Sequence, residues 1–294
     1  MAAIPALTAS TRILSTGVYQ GPYAAVENRP RPVLPPRPSP SWRAKREARP
    51  FTAGRNAIPA EPREPGHCIG EPDVTGLLEL AAGPAWTDLH PAVRERYGID
   101  SRSEQFVFGT GVMDRIDRST LAIPALWVGT HDDLLFPEAG MEIPFAVWTV
   151  PFTDSRGHEA LFMERRFETD PPRRFVDTLR WNPERGCITD FLGRSGRVSS
   201  DVHVAEQGGS LSLTLGDQWL RLGRRHGRLP GSLSLSGQLR DSYDEGEDSY
   251  RVEATITAPV VGTVFGYRGS FSSDRCPLED LEPRHTRLGT LPLP

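Results

Sequence analysis

The stretch that decides the fold is residues 173–193, RRFVDTLRWNPERGCITDFLG. Its centre, NPERG at residues 182–186, is typical of a type I turn, because proline presets φ at the second position and glycine accepts a left-handed backbone at the end. The flanking segments alternate apolar and polar side chains, which is the pattern of half-buried strands. We therefore predict a β-hairpin in which Asn182 faces Cys187.

This register determines which side chains share a face of the hairpin. Leu179 then lies opposite Asp190, and Asp177 lies diagonal to Asp190 on the same face, roughly 7–8 Å away at the backbone. The rest of that face is apolar and consists of Phe175, Leu179, Trp181, Ile188 and Leu192. Because unpaired carboxyl groups are costly to bury among apolar side chains, Asp177 and Asp190 are the first candidate site residues.

Alternating segments continue on both sides of this hairpin. Tight-turn signals separate most of them, including DSRG at residues 154–157 and the acidic loop at residues 244–248. The pattern predicts a mainly β fold, an antiparallel meander of about nine strands. Such a sheet closes into a barrel or curves strongly around a helix to remove its edges, and either architecture encloses one interior cavity.

One or two helices are expected before the first strand. Residues 75–83 form a short candidate helix, and residues 85–98 form a better one, with Trp86, Leu89, Val93 and Tyr97 in one apolar stripe. Thr87 or Asp88 is the predicted N-cap of the second helix, and Gly98 is its predicted left-handed C-cap. Residues 121–136 fit either a helix or an irregular segment packed on the sheet.

The chain is expected to divide into three parts. Residues 1–72 are rich in proline and arginine and predict a disordered extension, which is either a spacer or a docking ligand for a protein partner. Residues 73–276 predict a single β-rich domain, and residues 277–294 predict a flexible tail.

Composition excludes several functional classes. A net charge of −4 gives no electrostatic basis for nucleic-acid binding. The three cysteines, Cys68, Cys187 and Cys276, are scattered without metal-type spacing, which favours a reducing cytoplasm. No apolar run is long enough for a membrane span. We find no phosphate-binding loop, no dinucleotide fingerprint and no close set of His, Asp and Glu, so we expect neither a cofactor nor a metal.

The candidate site is completed by polar residues at positions where the alternation of a strand predicts an apolar, inward-facing side chain. Arg165 is in phase with Leu161, Met163 and Phe167, and Asp241 is in phase with Leu233, Leu235, Leu239 and Tyr243. Asp201 and His203, by contrast, are predicted to face solvent. The predicted catalytic residues are Asp177, Asp190, Arg165 and Asp241, and the predicted substrate-binding residues are Leu179, Trp181, Met163, Tyr243 and Tyr267. A purely structural ion pair between Arg165 and an aspartate is the alternative.

Several local runs resemble a bacterial family, domain of unknown function 4166. They are WTDLHPAVRERYG, FGTGVMDRI, the EIPF hairpin with MERRFE, the 173–193 hairpin and, most specifically, PVVGTVFGYRGSF at residues 259–271. The resemblance covers roughly Trp86 to Phe271. Members of this family resemble stand-alone domains or C-terminal partners of NAD(P)-dependent dehydrogenase-like domains, and the resemblance implies no established activity.

These features together predict a domain that binds a small, largely apolar molecule and acts on it by acid–base chemistry. The predicted reaction is that of a cofactor-independent cyclase, isomerase or dehydratase in bacterial specialised metabolism. Asp190 or Asp177 would transfer the proton, while Arg165 would fix a polar group or tune the acid. A non-catalytic carrier or sensor and a partner-binding module recruited through the proline-rich arm are the alternatives.

Overall fold

A computed structural model describes residues 75–223 and 225–281. The predicted N-terminal extension, residues 1–72, lies outside the described residues, as does the predicted tail beyond residue 281. The helices are α1 (Leu77–Ala82), α2 (Pro91–Tyr97) and α3 (Ile123–Gly129). The strands are β1 (Gln105–Arg118), β2 (Gly140–Thr153), β3 (Glu159–Phe167), β4 (Arg173–Asn182), β5 (Cys187–Leu192), β6 (Val198–Gln207), β7 (Ser210–Leu222), β8 (Arg225–Arg228), β9 (Ser236–Asp244), β10 (Ser249–Ala258) and β11 (Gly262–Pro277).

The strands form a closed ten-stranded antiparallel barrel with one extra strand. The order around the barrel is β6-β5-β4-β3-β2-β1-β11-β10-β9-β7, and pairing between β6 and β7 closes it. Within the described part of the chain, the extra strand, β8, pairs only with β7, and it stands outside the barrel. The predicted mainly β fold and barrel are therefore confirmed. The predicted strand number was low partly because the exposed, non-alternating residues of β8 resemble a loop.

The β4–β5 hairpin has the predicted register. Asn182 pairs with Cys187, Leu179 with Asp190 and Asp177 with Leu192. At the turn, the Gly186 amide donates a hydrogen bond to the Asn182 carbonyl oxygen (2.9 Å), and Gly186 has a φ of 62°. Proline and glycine therefore occupy the positions that this turn requires of them.

The caps of α2 differ from the prediction. Residues Gly83–Asp88 form a 3-10 helix, so Thr87 and Asp88 precede the start of α2. His90 is the N-cap, and its Nδ1 accepts a hydrogen bond from the Ala92 amide, while Pro91 occupies the first helical position, where its fixed φ is compatible with a helix. Gly98 has a φ of −80° and is not left-handed.

Two predictions about side-chain exposure are wrong. Leu233 is 65% exposed because Pro230 begins a turn in which the Leu233 amide donates to the Pro230 carbonyl oxygen, so β9 starts only at Ser236. Asp201 is buried instead of facing solvent, because the Arg185 guanidinium covers it from outside the barrel at 2.6 Å. His203 is exposed, as predicted.

Helical segments cover both ends of the barrel. At one end, α1 packs on β3, β4 and β6, and the side chains of Leu77, Leu78 and Trp86 join a buried cluster with Ile188. At the other end, α3 and the residues after it cover the barrel, with Phe136 fully buried. Residues 121–136, for which two structures were predicted, thus contain a helix followed by an irregular segment. Among the described residues, no helix is both long and apolar enough to cross a membrane.

Candidate functional site

A cavity of about 130 Å³ lies inside the barrel between the two helical ends. Its rim consists of partly exposed apolar side chains, including Leu134, Leu192 and Val198, whereas its deeper wall is buried and carries the polar groups. A cavity of about 150 Å³ lined by apolar side chains is large enough to hold benzene. The interior therefore has room for one small organic molecule.

The buried wall contains an ion pair. Arg165 on β3 lies opposite Phe175 on β4, which places Asp177 diagonal to it on the same interior face. Arg165 Nη1 donates a hydrogen bond to Asp177 Oδ2 at 2.8 Å, and the guanidinium carbon lies 4.8 Å from the centre of the Phe175 ring. Both charged side chains are almost fully buried. The ring and the carboxylate together fix the position of the guanidinium.

Asp190 lines the same cavity from β5, and its side chain is buried. It is 6% exposed, and its Oδ1 has no hydrogen-bond partner among the described residues. Burial and the charge of Asp177 raise the pKa of Asp190 well above its usual range, and Arg165 offsets only part of this increase. Burial also raises the pKa of Asp177, against the lowering effect of Arg165. Of the two aspartates, Asp177 accepts the hydrogen bond from Arg165, and Asp190 is the one whose pKa is raised more strongly.

A second, smaller space of about 20 Å³ adjoins the cavity and contains Asp241. The Tyr97 hydroxyl donates a hydrogen bond to Asp241 Oδ2, and Asp241 Oδ1 has no partner among the described residues. Burial raises the pKa of Asp241, although Arg96 and the Tyr97 hydrogen bond lower it in part. Tyr267 lines both spaces, and burial raises the pKa of its hydroxyl.

The structure brings together most of the predicted site residues. Those that line the main cavity are Arg165, Asp177, Asp190, Leu179, Met163 and Tyr267, and Asp241 lines the adjoining space. Trp181 and Tyr243 line neither. Trp181 packs beneath the N-terminal helices at the covered end of the barrel, and Tyr243 stacks on His90, with ring centres 5.1 Å apart.

Sequence reasoning missed several residues of the cavity wall. Gln218 is buried there, and its side-chain amide exchanges two hydrogen bonds with the backbone of Leu235, at 2.5 and 2.9 Å. Leu134 and Leu135 reach the cavity from the segment after α3, which Asp132 anchors by accepting hydrogen bonds from the amide and hydroxyl of Ser195. These contacts depend on tertiary structure. In the sequence, only the apolar run at residues 134–136 indicates any of them.

The described residues contain no group of three or more His, Cys, Asp or Glu side chains close enough to hold a metal ion. Of the cysteines, Cys187 and Cys276 are free thiols, and Cys68 lies outside the described residues.

The fold and the cavity define a class, an antiparallel β-barrel with helices over its ends and a buried acid inside. The chain belongs to the family described as domain of unknown function (DUF4166), whose model matches residues 89–271, which confirms the resemblance in its local motifs. It is 29% identical over 189 residues to the uncharacterized protein YndH of Bacillus subtilis (strain 168), an alignment that covers 63% of this chain and 91% of the relative. No solved structure matches the chain.

Proposed function

We propose that the barrel binds a small, largely apolar organic molecule and transfers protons to and from it, as a cofactor-independent cyclase, isomerase or dehydratase of bacterial specialised metabolism. The observation that carries this proposal is the environment of the Asp190 carboxyl group. The group is buried in an apolar cavity, its Oδ1 has no partner among the described residues, and an ion pair lies beside it. A ligand oxygen or nitrogen is the natural partner for such a group.

The chemistry follows from the raised pKa of Asp190. A protonated carboxyl group in a largely apolar cavity can donate its proton to a ligand hydroxyl or carbonyl oxygen. For a dehydratase, the protonated hydroxyl leaves as water, and the resulting Asp190 carboxylate removes a proton from the neighbouring carbon as the double bond forms. The proton is thereby returned to Asp190, so the site completes the cycle unchanged.

Arg165 and Asp177 would influence this proton transfer, but neither would donate or accept the proton. The Asp177 carboxylate disfavours a second negative charge on Asp190, which raises the pKa of the acid. Arg165 stabilises the negative charge when Asp190 has given up its proton, and its remaining N–H groups can orient a polar group of the ligand. In this proposal both residues position and tune the acid.

A carrier or sensor would use the same cavity, and the apolar character of most of its wall favours this second function. Such a protein needs a ligand that fits and a polar anchor, but no proton transfer. The two functions therefore differ only in what happens after binding.

The test begins with native mass spectrometry of the protein purified from its own host, followed by extraction of any bound small molecule. The extracted compound is then incubated in deuterium oxide with wild-type protein and with Asp190→Asn. An enzyme incorporates deuterium into, or converts, the compound, and Asp190→Asn binds it without doing either. A carrier binds it in both forms and changes it in neither. If no compound is recovered and none from a panel of small cyclic ketones and alcohols binds, both functions are rejected.

A further inference from the structure

A second concave site lies on the outer face of the barrel. Strands β4 to β7 alternate between interior and exterior, so Arg180 and Phe191 point outward while their neighbours Leu179 and Asp190 point inward. The extra strand β8 supplies His226 to one wall. Together these strands enclose a cleft of about 390 Å³, which is within the usual size range of small-molecule sites.

The lining of this outer cleft is strongly basic. Among the residues that the structure describes, it contains no carboxylate and five potentially cationic side chains: Arg180, Arg185, Arg197, Arg221 and His226. Two of these already have acidic partners behind the lining. Arg180 contacts Asp154 at 3.4 Å, and Arg185 contacts Asp201 at 2.6 Å. Within residues 75–223 and 225–281, Arg197 and Arg221 form no ion pair with a carboxylate.

Two of the arginines are held in place by aromatic rings. The guanidinium carbon of Arg180 lies 5.1 Å from the centre of the Phe191 ring, and that of Arg185 lies 4.1 Å from the centre of the Trp219 ring. A stacked guanidinium loses less conformational freedom when it binds an anion than a free surface side chain does. The cleft is therefore preorganised for a negatively charged group.

Arg180 also has an unused donor. Only 8% of this residue is exposed, and its Nε has no hydrogen-bond partner among the described residues. A buried guanidinium N–H without an acceptor is costly, so a group that supplies an acceptor would be bound favourably. The hydroxyl groups of Thr189 and Ser199 line the same cleft and can donate further hydrogen bonds.

We propose that this outer cleft binds the oxyanion, phosphate or carboxylate, of a small organic molecule. Arginine recognises both groups through paired N–H donors. The cleft is larger than a bare ion requires, which leaves room for an organic part next to the oxyanion. The site is separate from the interior cavity and does not depend on the function proposed for it.

Isothermal titration calorimetry with phenyl phosphate, benzoate and inorganic phosphate tests this proposal. The full chain should bind phenyl phosphate or benzoate saturably at one site per chain, more weakly as salt is added. Preference between these two ligands identifies the oxyanion, and comparison with inorganic phosphate measures the contribution of the organic part. Arg197→Gln combined with Arg221→Gln should weaken binding about tenfold or more, the loss expected when charged hydrogen bonds are removed.

Two controls make the result specific. Arg268→Gln removes one exposed outward charge from β11, away from the cleft, and should leave affinity unchanged. Asp190→Asn changes only the interior cavity and should also leave it unchanged. The proposal is overturned if none of the three probes binds saturably. It is equally overturned if Arg268→Gln weakens binding as much as the paired variant does, because the anion is then attracted by overall charge alone.

Discussion

Asp190 lies directly opposite Leu179 across the β4–β5 ladder, so its carboxyl group shares the interior face of the barrel with a buried leucine. The same ladder puts Asp177 one diagonal away, close enough for its charge to raise the pKa of Asp190. A register that serves packing therefore also creates a buried acid.

The first prediction concerns stability and pH. The pKa of Asp190 is raised on folding, so the folded protein retains a proton that the unfolded chain releases above about pH 4. Stability should therefore fall as pH rises from there through the folded-state pKa. Asp190→Asn should remove part of this fall and make the protein more stable than wild type at neutral pH. Urea denaturation across the pH series measures it.

The matched control for this experiment is Asp88→Asn, which changes a solvent-exposed aspartate. Its stability should follow the same pH dependence as wild type. An Asp190→Asn curve that runs parallel to wild type over the whole range would show that Asp190 is not protonated in the folded protein.

The second prediction concerns the Arg165–Asp177 ion pair. Arg165→Met should cost roughly 3–5 kcal/mol near neutral pH, because it leaves Asp177 buried without a partner. Adding Asp177→Leu should recover most of that loss, since a buried ion pair can be replaced by apolar side chains at little cost. The loss from Arg165→Met alone should shrink in acid, where Asp177 can be protonated instead.

Equilibrium urea denaturation of the wild type, both single variants and the double variant completes the thermodynamic cycle. Additive effects of the two substitutions would contradict a direct interaction between the side chains.

The third prediction compares two tyrosines whose hydroxyl groups both contact aspartates. Tyr97→Phe removes the hydrogen bond to the buried Asp241 and should cost about 1–3 kcal/mol. Tyr243→Phe removes a hydrogen bond to the exposed Asp248 and should cost less than about 0.5 kcal/mol. Thermal denaturation at one pH measures both. Equal shifts in Tm would indicate that the Asp241 contact is no more buried than the other.

The fourth prediction uses the empty volume of the cavity. Ala254 lines it, and Ala254→Leu should fill part of the 130 Å³ and stabilise the protein by about 0.5–2 kcal/mol. The same substitution should abolish binding of xenon, which enters apolar protein cavities and is detected by NMR. Ala205→Leu, on an exposed position of β6, should change stability by less than about 0.5 kcal/mol and leave xenon binding intact. Unchanged xenon binding in Ala254→Leu would mean that xenon binds at a site other than this cavity.

The hairpin, and which of its side chains face the interior, could be predicted from the sequence because their causes are local. Pro183 and Gly186 determine the turn, and the turn sets the register of β4 against β5. Alternation then assigns Asp177 and Asp190 to the interior without any knowledge of the other strands. The same logic placed Arg165 correctly, because β3 pairs with β2 and β4 without a register shift, so successive side chains point to opposite faces along its length.

Other assignments failed because they depend on distant parts of the chain. Trp181 is in phase with the interior, but the N-terminal helices occupy that end of the barrel. Asp201 points outward as alternation predicts, yet it is buried because Arg185 covers it. The contact between Tyr97 and Asp241 joins residues 144 positions apart, and no local pattern reveals it.

Strand β5 is only six residues long, yet it contributes to both concave sites, with Asp190 facing the interior and Thr189 and Phe191 facing the outer cleft. Inserting or deleting a single residue that shifts β5 against β4 would therefore send Asp190 outside and bring Thr189 and Phe191 inside. Substitutions can alter either site independently, but a change in length cannot. Viable length variants of this hairpin should accordingly shift β5 by an even number of residues, which restricts how its loop can be engineered.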